Sequence, residues 1–273
     1  MSKIIICDGD SWTGGHEINP DLEGIDGMFV NHPDNDEYRL PKLWPDKLGN
    51  KLKDVEIHNI AHAGSSNDGI VRRIIRKVMG MLLERRAKDL YVIVGWTSPE
   101  RKDFFYKNGR TRHWETMYPA QLQQSFNDDE DLKKFYNIYL EKFWNEEEFL
   151  DRYIQQNLFL HYFLKEHKIK HLFFDAFYEA NTDSSSGIVN SLNIDDIIEN
   201  SYQYDKIEQY ALTTEYQKVR QDVVFPISFR NYLLKQEDRR IKQALFDKYH
   251  PSEDGQELWT KQILSRIKRD IYG

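Results

Sequence analysis

The residue types that acyl chemistry needs fall in three short stretches of this chain. Ser11 lies in Gly9-Asp10-Ser11-Trp12-Thr13-Gly14-Gly15, Gly64 and Asn67 lie in Ala61-His62-Ala63-Gly64-Ser65-Ser66-Asn67-Asp68-Gly69, and Asp247-Lys248-Tyr249-His250-Pro251 comes late. A serine hydroxyl is a poor nucleophile until a neighbouring base takes its proton. An imidazole such as His250 can both accept and return that proton near neutral pH. Asp247, three residues earlier, could orient the ring and stabilise its charged form. A tetrahedral intermediate would then need donors for its oxyanion. The backbone N–H groups of Ser11 and Gly64 are candidates, and a side-chain amide or hydroxyl would add a third. Each residue also has an ordinary reading. Ser11 could be a turn residue or helix N-cap, His250 a cap ahead of Pro251, Asp247 an acid near a helix start, and Gly64 a turn glycine.

These stretches can meet only if the fold brings them to one edge. Lys3-Ile4-Ile5-Ile6-Cys7 reads as a buried parallel strand that delivers the Ser11 loop at its carboxyl end. In open α/β sheets, ligands bind outside the strand carboxyl ends. Strands are also expected at 54–60, 89–95 and 168–175, and helices at 40–52, 68–87, 146–166 and 252–270. The order strand, loop, helix, repeated, predicts a three-layer α/β/α sandwich around a central parallel sheet. Residues 16–38 read as a long surface loop near the site. Residues 102–145 show no strand pattern and read as an insertion or lid, and 181–245 are polar and irregular. The chain from 1 to 273 is expected to form one domain carrying these insertions. The aromatic and aliphatic stripe of 146–166 (Phe149, Tyr153, Leu158, Leu160, Phe163) reads as core, with His161 and His167 as packing histidines.

Composition narrows the classes further. The 273 residues carry a formal net charge of -7, which argues against a nucleic-acid binder driven by phosphate contacts. No apolar run approaches the roughly 20 residues of a membrane-spanning helix. The single cysteine, Cys7, sits inside the first strand and reads as a small buried residue. The first strand begins at residue 3, so no signal peptide is expected before it, and cytoplasmic synthesis is the expectation. A later place in a virus particle is compatible with that. The acid runs at 128–131 and 146–148 read as solvated faces. No metal and no cofactor are expected, and the oligomeric state is left open.

The loop Gly9–Gly15 resembles block I of the SGNH (GDSL) hydrolase family. Asn59–Asn67 is similar to its block II, and Asp247–Pro251 to its closing Asp-x-x-His block, in the same order along the chain. The resemblance covers roughly 1–100 and 245–270. It implies a flavodoxin-like α/β/α fold and esterase or lipase-type hydrolysis without cofactor. It carries Ser11 to nucleophile, His250 to base, Asp247 to orienting acid and Gly64 to oxyanion donor. The implied substrate is a small ester, such as an O-acetyl group on a carbohydrate. The family's block III reads Gly-x-Asn where this chain has Gly95-Trp96-Thr97, so Thr97 or Asn67 is expected as the remaining oxyanion donor. Trp12, Trp96 and Arg101, beside these loops, are expected to face substrate, unless Arg101 pairs with an acid. His16 and His62 lie on the same loops and read as surface or packing residues. The short termini, aromatic insertions and Trp96-Thr97-Ser98-Pro99 segment are similar to phage-encoded members of the family.

Two other readings compete. Asp8-Gly9-Asp10 after an apolar strand resembles motif I of haloacid-dehalogenase-type phosphatases, in which Asp8 would attack and Mg²⁺ would sit between carboxylates. The fold could also serve as a binding or virion structural module without turnover. Tyr106, Trp114, Tyr118, Phe135, Tyr136 and Trp144 would then stack on sugar rings, or simply pack the insertion.

Overall fold

The computed structural model describes residues 2–16, 18, 33–108, 111–117, 129–177, 205–236, 245–247 and 250–273. In chain order the elements are β1 (Lys3–Asp8), the single turn α1 (Ser11–Gly14), α2 (Pro33–Arg39), α3 (Trp44–Lys51), β2 (Val55–Asn59), α4 (Asn67–Leu82) and β3 (Leu90–Trp96). Then come β4 (Lys102–Asn108), β5 (Thr111–Met117), α5 (Glu130–Lys142), α6 (Glu146–Glu166) and β6 (Lys170–Asp175). The chain finishes with α7 (Asp205–Val223), α8 (Phe229–Leu234), β7 (Phe246–Asp247), β8 (His250–Pro251) and α9 (Glu253–Tyr272).

Four strands form a parallel sheet in the order β2-β1-β3-β6. The chain leaves β1 towards one side for β2 and returns to the other side for β3. This is the flavodoxin-like order, and the crevice at such a reversal is where ligands bind. Ser11 follows β1 directly and therefore stands at that reversal.

β1, β3 and β6 are apolar on both sides because helices cover both faces, whereas the edge strand β2 alternates Val55 and Ile57 with the paired Glu56 and His58. Ile4 and Ile6 of β1 point with Val92 and Val94 of β3 into a core shared with α4, α6 and α7. Ile5 and Cys7 point the other way with Tyr91 and Ile93, against α3, α8 and α9. This alternation is the period-2 geometry of a strand. Cys7 is a fully buried member of the second core, and burial pushes its thiol well above the usual range. Together these layers make the expected α/β/α sandwich. No described helix is long and apolar enough to cross a membrane.

Several segments differ from expectation. Residues 102–117 form an antiparallel hairpin, β4–β5, with Phe105 opposite Trp114 and Asp103 opposite Thr116. Its pattern is obscured because both faces carry aromatics: Phe104 and Tyr106 pack on Met117, Leu132, Tyr136 and Tyr139, while Phe105 and Trp114 remain 59% and 45% exposed. Residues 205–234, read as irregular, contain α7 and α8. The inward stripe of α7 is Thr213, Tyr216, Val219 and Val223, and a Thr and a Tyr at core positions hide its helical period. The expected helix at 68–87 stops at Leu82. Of the 16–38 loop, residues 33–38 lie within α2, and 17 and 19–32 lie outside the described residues, as do Tyr118 and 181–204.

Candidate active site

The β1–α1 turn is built by short polar bonds. Asp10 caps α1, its Oδ1 accepting the Trp12 N–H at 2.9 Å. Gly9 allows the neighbouring loop to come close: a Cβ there would stand 2.4 Å from the Thr13 hydroxyl and 3.1 Å from the Gly95 carbonyl oxygen. Ser11 is 7% exposed. Its Oγ lies 2.9 Å from Nε2 of His250, across 239 positions of sequence. A neutral imidazole with its hydrogen on Nδ1 accepts the serine proton in this geometry. The His16 ring packs edge-on against the His250 ring at 4.8 Å. His62 is exposed, its Nδ1 2.9 Å from the Ala63 carbonyl oxygen.

His250 is delivered by a two-strand ribbon. β7 and β8 pair antiparallel, with Asp247 opposite His250 in register. The side chain of Asp247 lies outside the described residues. Ser252 then caps α9 by accepting the Gly255 N–H at 3.3 Å.

The second loop is tied to the nucleophile turn. His62 N–H donates to the Gly9 carbonyl at 3.3 Å, and the Asn59 amide donates to the Thr13 carbonyl at 3.1 Å. Gly64 adopts φ 75°, and no atom lies within 4 Å of where a Cβ would stand. The space in front of it is open. Among the described residues, neither the Ser11 nor the Gly64 N–H has an acceptor.

The third loop departs from expectation. The Thr97 hydroxyl donates its one hydrogen to Oδ2 of Asp10 at 2.7 Å, so it has none left for an oxyanion. The Asn67 amide is clamped on the Thr97 backbone, accepting from its N–H at 2.9 Å and donating to its carbonyl at 3.1 Å. Both residues are buried and hold the third loop against the other two. Arg101 pairs with an acid: Nη1 lies 3.4 Å from Asp10 Oδ2 and donates to the Ser65 carbonyl at 3.2 Å. Trp12 and Trp96, expected to face substrate, are packed in the interior. They are 3% and 1% exposed, Trp12 packing on Phe177 and Phe229 and Trp96 on Tyr153 and Phe173.

The carboxylates of the phosphatase reading are already occupied. Asp8 is fully buried, and Arg73 grips it with Nη2 at 2.7 Å and Nε at 3.1 Å while the Gly9 N–H donates at 2.7 Å. Burial pushes the Asp8 carboxyl up to about 7 against the pull of Arg73. Asp10 is committed to Trp12, Thr97 and Arg101. Among the described residues, no group of three or more His, Cys, Asp or Glu side chains could hold a metal.

Sequence reasoning missed Arg73 and Asp103. Arg73 flanks the Ile70–Ile74 face of α4, and no local signal separates it from Arg72, Arg76 and Lys77 on the same helix. Asp103 accepts from Ser66 Oγ at 2.5 Å and Thr116 Oγ1 at 2.8 Å, and pairs with Arg72. It pins the hairpin to the second loop, and nothing in its local sequence marks it.

This chain belongs to a family of unknown function, DUF6071, which it matches over residues 27–206. The matched segment contains Gly64 and leaves out Ser11 and His250. No curated protein matches the chain. Among solved structures it is similar to a member of the lipolytic protein G-D-S-L family from Veillonella parvula DSM 2008, at 14% identity and TM-score 0.49 over 98% of this chain and 100% of that one. It is also similar to the psychrotrophic esterase EstA from Pseudoalteromonas sp., at 10% identity and TM-score 0.42 over 98% and 97%. A third is the acetyl xylan esterase AlAXEase, at 12% identity and TM-score 0.44 over 97% and 99%. At these values the likeness is one of overall shape, and the chemistry stands on the side chains described above.

Proposed function

We propose that this chain is a serine ester hydrolase with Ser11 as nucleophile and His250 as its base. The observation that supports this most is the 2.9 Å contact between Ser11 Oγ and His250 Nε2. It brings the two ends of the chain together at the sheet's reversal point, where a ligand is expected. His250 takes the hydroxyl proton as Oγ bonds to the acyl carbon. The N–H groups of Ser11 and Gly64 receive the oxyanion. The imidazolium gives its proton to the departing alcohol, and water repeats the sequence on the acyl-enzyme. Asp247, on the strand paired with His250, is assigned to Nδ1 of the ring by the family resemblance.

The substrate we favour is a small ester, with an O-acetyl group on a carbohydrate as the particular case. The exposed Phe105 and Trp114 rings on the hairpin, 5.2 Å apart, offer an aromatic surface of the kind sugars stack on. One observation favours a binding module instead. With Thr97 and Asn67 committed to the loop clamp, two backbone donors remain, and each lost donor costs about 3 kcal/mol of transition-state stabilisation.

Ser11→Ala tests the proposal. It should abolish turnover of p-nitrophenyl acetate and labelling by a fluorophosphonate while leaving the circular dichroism unchanged. Turnover retained in this variant would remove Ser11 as nucleophile. An unlabelled wild-type protein would select the binding module.

A further inference from the structure

Gln256 is fully buried one turn into α9, six residues after His250. Its Nε2 donates to the Trp12 carbonyl at 3.0 Å, and its Oε1 accepts the Trp44 N–H at 3.1 Å. Trp12 adjoins Ser11 in the single turn α1. Trp44 opens α3, and its N–H is one of the donors that a helix start leaves without an internal partner. One amide therefore joins the helix behind the base to the turn bearing the nucleophile and to the neighbouring helix. Thr260, a turn further on, donates to the Gln256 carbonyl at 2.8 Å and stiffens the same stretch.

Apolar packing also joins these parts. The Trp12 ring meets Phe229 at 5.3 Å, and Phe229 stacks on Trp259 of α9 at 4.8 Å. Such contacts press α9 against α1, yet the hydrophobic effect is non-directional and sets no register along the contact. Hydrogen bonds do set one, because their strength falls steeply with misalignment. The Ser11–His250 distance depends on that register. His250 is fixed to α9 through Pro251 and the Ser252 cap, whose N–H donates to the Leu245 carbonyl at 2.9 Å.

We propose that Gln256 is a positioning residue: by holding α9 to the Trp12 carbonyl, it sets the contact between Ser11 and His250. The proposal rests on the serine hydrolase reading. The chemistry explains the residue type. Only a side-chain amide supplies one donor and one acceptor in the fork required here. Leucine of similar size leaves both backbone groups bare. Ionised glutamate can serve the Trp44 N–H and cannot donate to Trp12.

The test uses the full chain and measures the second-order rate of Ser11 labelling by a fluorophosphonate across pH, together with the melting curve. Gln256→Leu should label roughly 100-fold more slowly, as expected for a misplacement of about 1 Å at a reacting pair, and should lose the imidazole-dependent pH profile. Gln256→Glu should be slow too at pH values where its buried carboxyl is ionised, although α3 keeps its cap, and should approach the wild-type rate where it is protonated and can donate to the Trp12 carbonyl. It carries the test if the leucine variant fails to fold. Ile263→Val, in the core contact of the same helix, should melt lower and label at the wild-type rate with the wild-type profile. A folded Gln256 variant that labels as the wild type does, with the same profile, overturns the positioning role alone. A slow Ile263→Val also overturns it, because general loosening of α9 would then suffice. An unlabelled wild-type protein overturns the nucleophile reading and the positioning role with it.

Discussion

Replacing Arg73 with methionine should make stability fall much more steeply with rising pH. Asp8 has no exposure, and Arg73 is its counter-charge at 2.7 Å. Burial raises the Asp8 carboxyl from 3.8 to about 7 while Arg73 pulls it down. Between those values the folded protein holds a proton that the unfolded chain has released. The stabilising contribution of Asp8 is therefore complete below 3.8 and is lost as pH rises through about 7. Without Arg73 the carboxyl stays protonated further up, and each added pH unit then costs the variant about 1.4 kcal/mol relative to the wild type. At pH 5, with Asp8 neutral in both proteins, the variant lacks only hydrogen bonds, about 1 kcal/mol. At pH 9 its deficit should reach about 4 kcal/mol, in line with the cost of stranding a buried charge. Urea denaturation followed by tryptophan fluorescence at pH 5, 7 and 9 measures this as a shift in midpoint at constant slope. In an Asp8→Asn background the Arg73→Met deficit should not vary with pH. An equal deficit at pH 5 and pH 9 in the natural background would refute the reasoning.

Thr97→Val removes the bond to Asp10 and should lower stability by about 1.5–3 kcal/mol, the range for a bond to a charged group. Ester turnover by the folded variant should fall by less than the roughly 100-fold loss of an oxyanion donor, and a full loss with an unchanged melting temperature would return Thr97 to the oxyanion hole. Gly64→Ala meets no neighbour at φ 75°, so melting should report only the left-handed strain, about 1–2 kcal/mol; a much larger loss would show that the space in front of Gly64 is not open. His171 is buried, its Nε2 2.9 Å from Nδ1 of His161, and burial lowers its pKa from 6.5 to about 4. Its stabilising contribution is therefore lost as pH falls from 6.5 towards 4, because the unfolded chain takes the proton first. The stability gap between His171→Leu and the wild type should narrow over that range, and a gap that widens would reverse the assignment.

The sheet was legible because β1, β3 and β6 are apolar on both faces, β2 alternates, and the helices carry clear stripes. β1, β3, β6 and α6 lie where the runs of Ile, Val, Leu and Phe place them, β2 lies where apolar and polar residues alternate, and α4 begins as expected but ends at Leu82. The hairpin was not legible, because Phe104 and Phe105 are adjacent and each faces a different aromatic surface. α7 was hidden by Thr213 and Tyr216 at inward positions. At the site, Ser11, Gly64 and His250 stood out because small residues interrupt apolar strands and because a histidine precedes a capped helix. The partners of Thr97, Asn67 and Arg101 were not readable. Hydrogen bonds between loops 30 or 91 positions apart leave no local pattern. The tryptophans misled for a related reason. A ring beside a loop looks exposed in sequence, and only the packing of Phe177, Phe229 and Tyr153 shows that Trp12 and Trp96 are inside.

The hydroxyl and the imidazole that meet over this sheet are made at very different moments. Ser11 leaves the ribosome long before His250, and β1 can pair with β2 and then β3, and β3 with β6, as each follows. The centre of the sheet can thus form while His250 is still untranslated. A nascent chain stalled before residue 250 would hold the four strands without α9 over one of their faces, and on the proposed mechanism its Ser11 would have no base until His250 emerges.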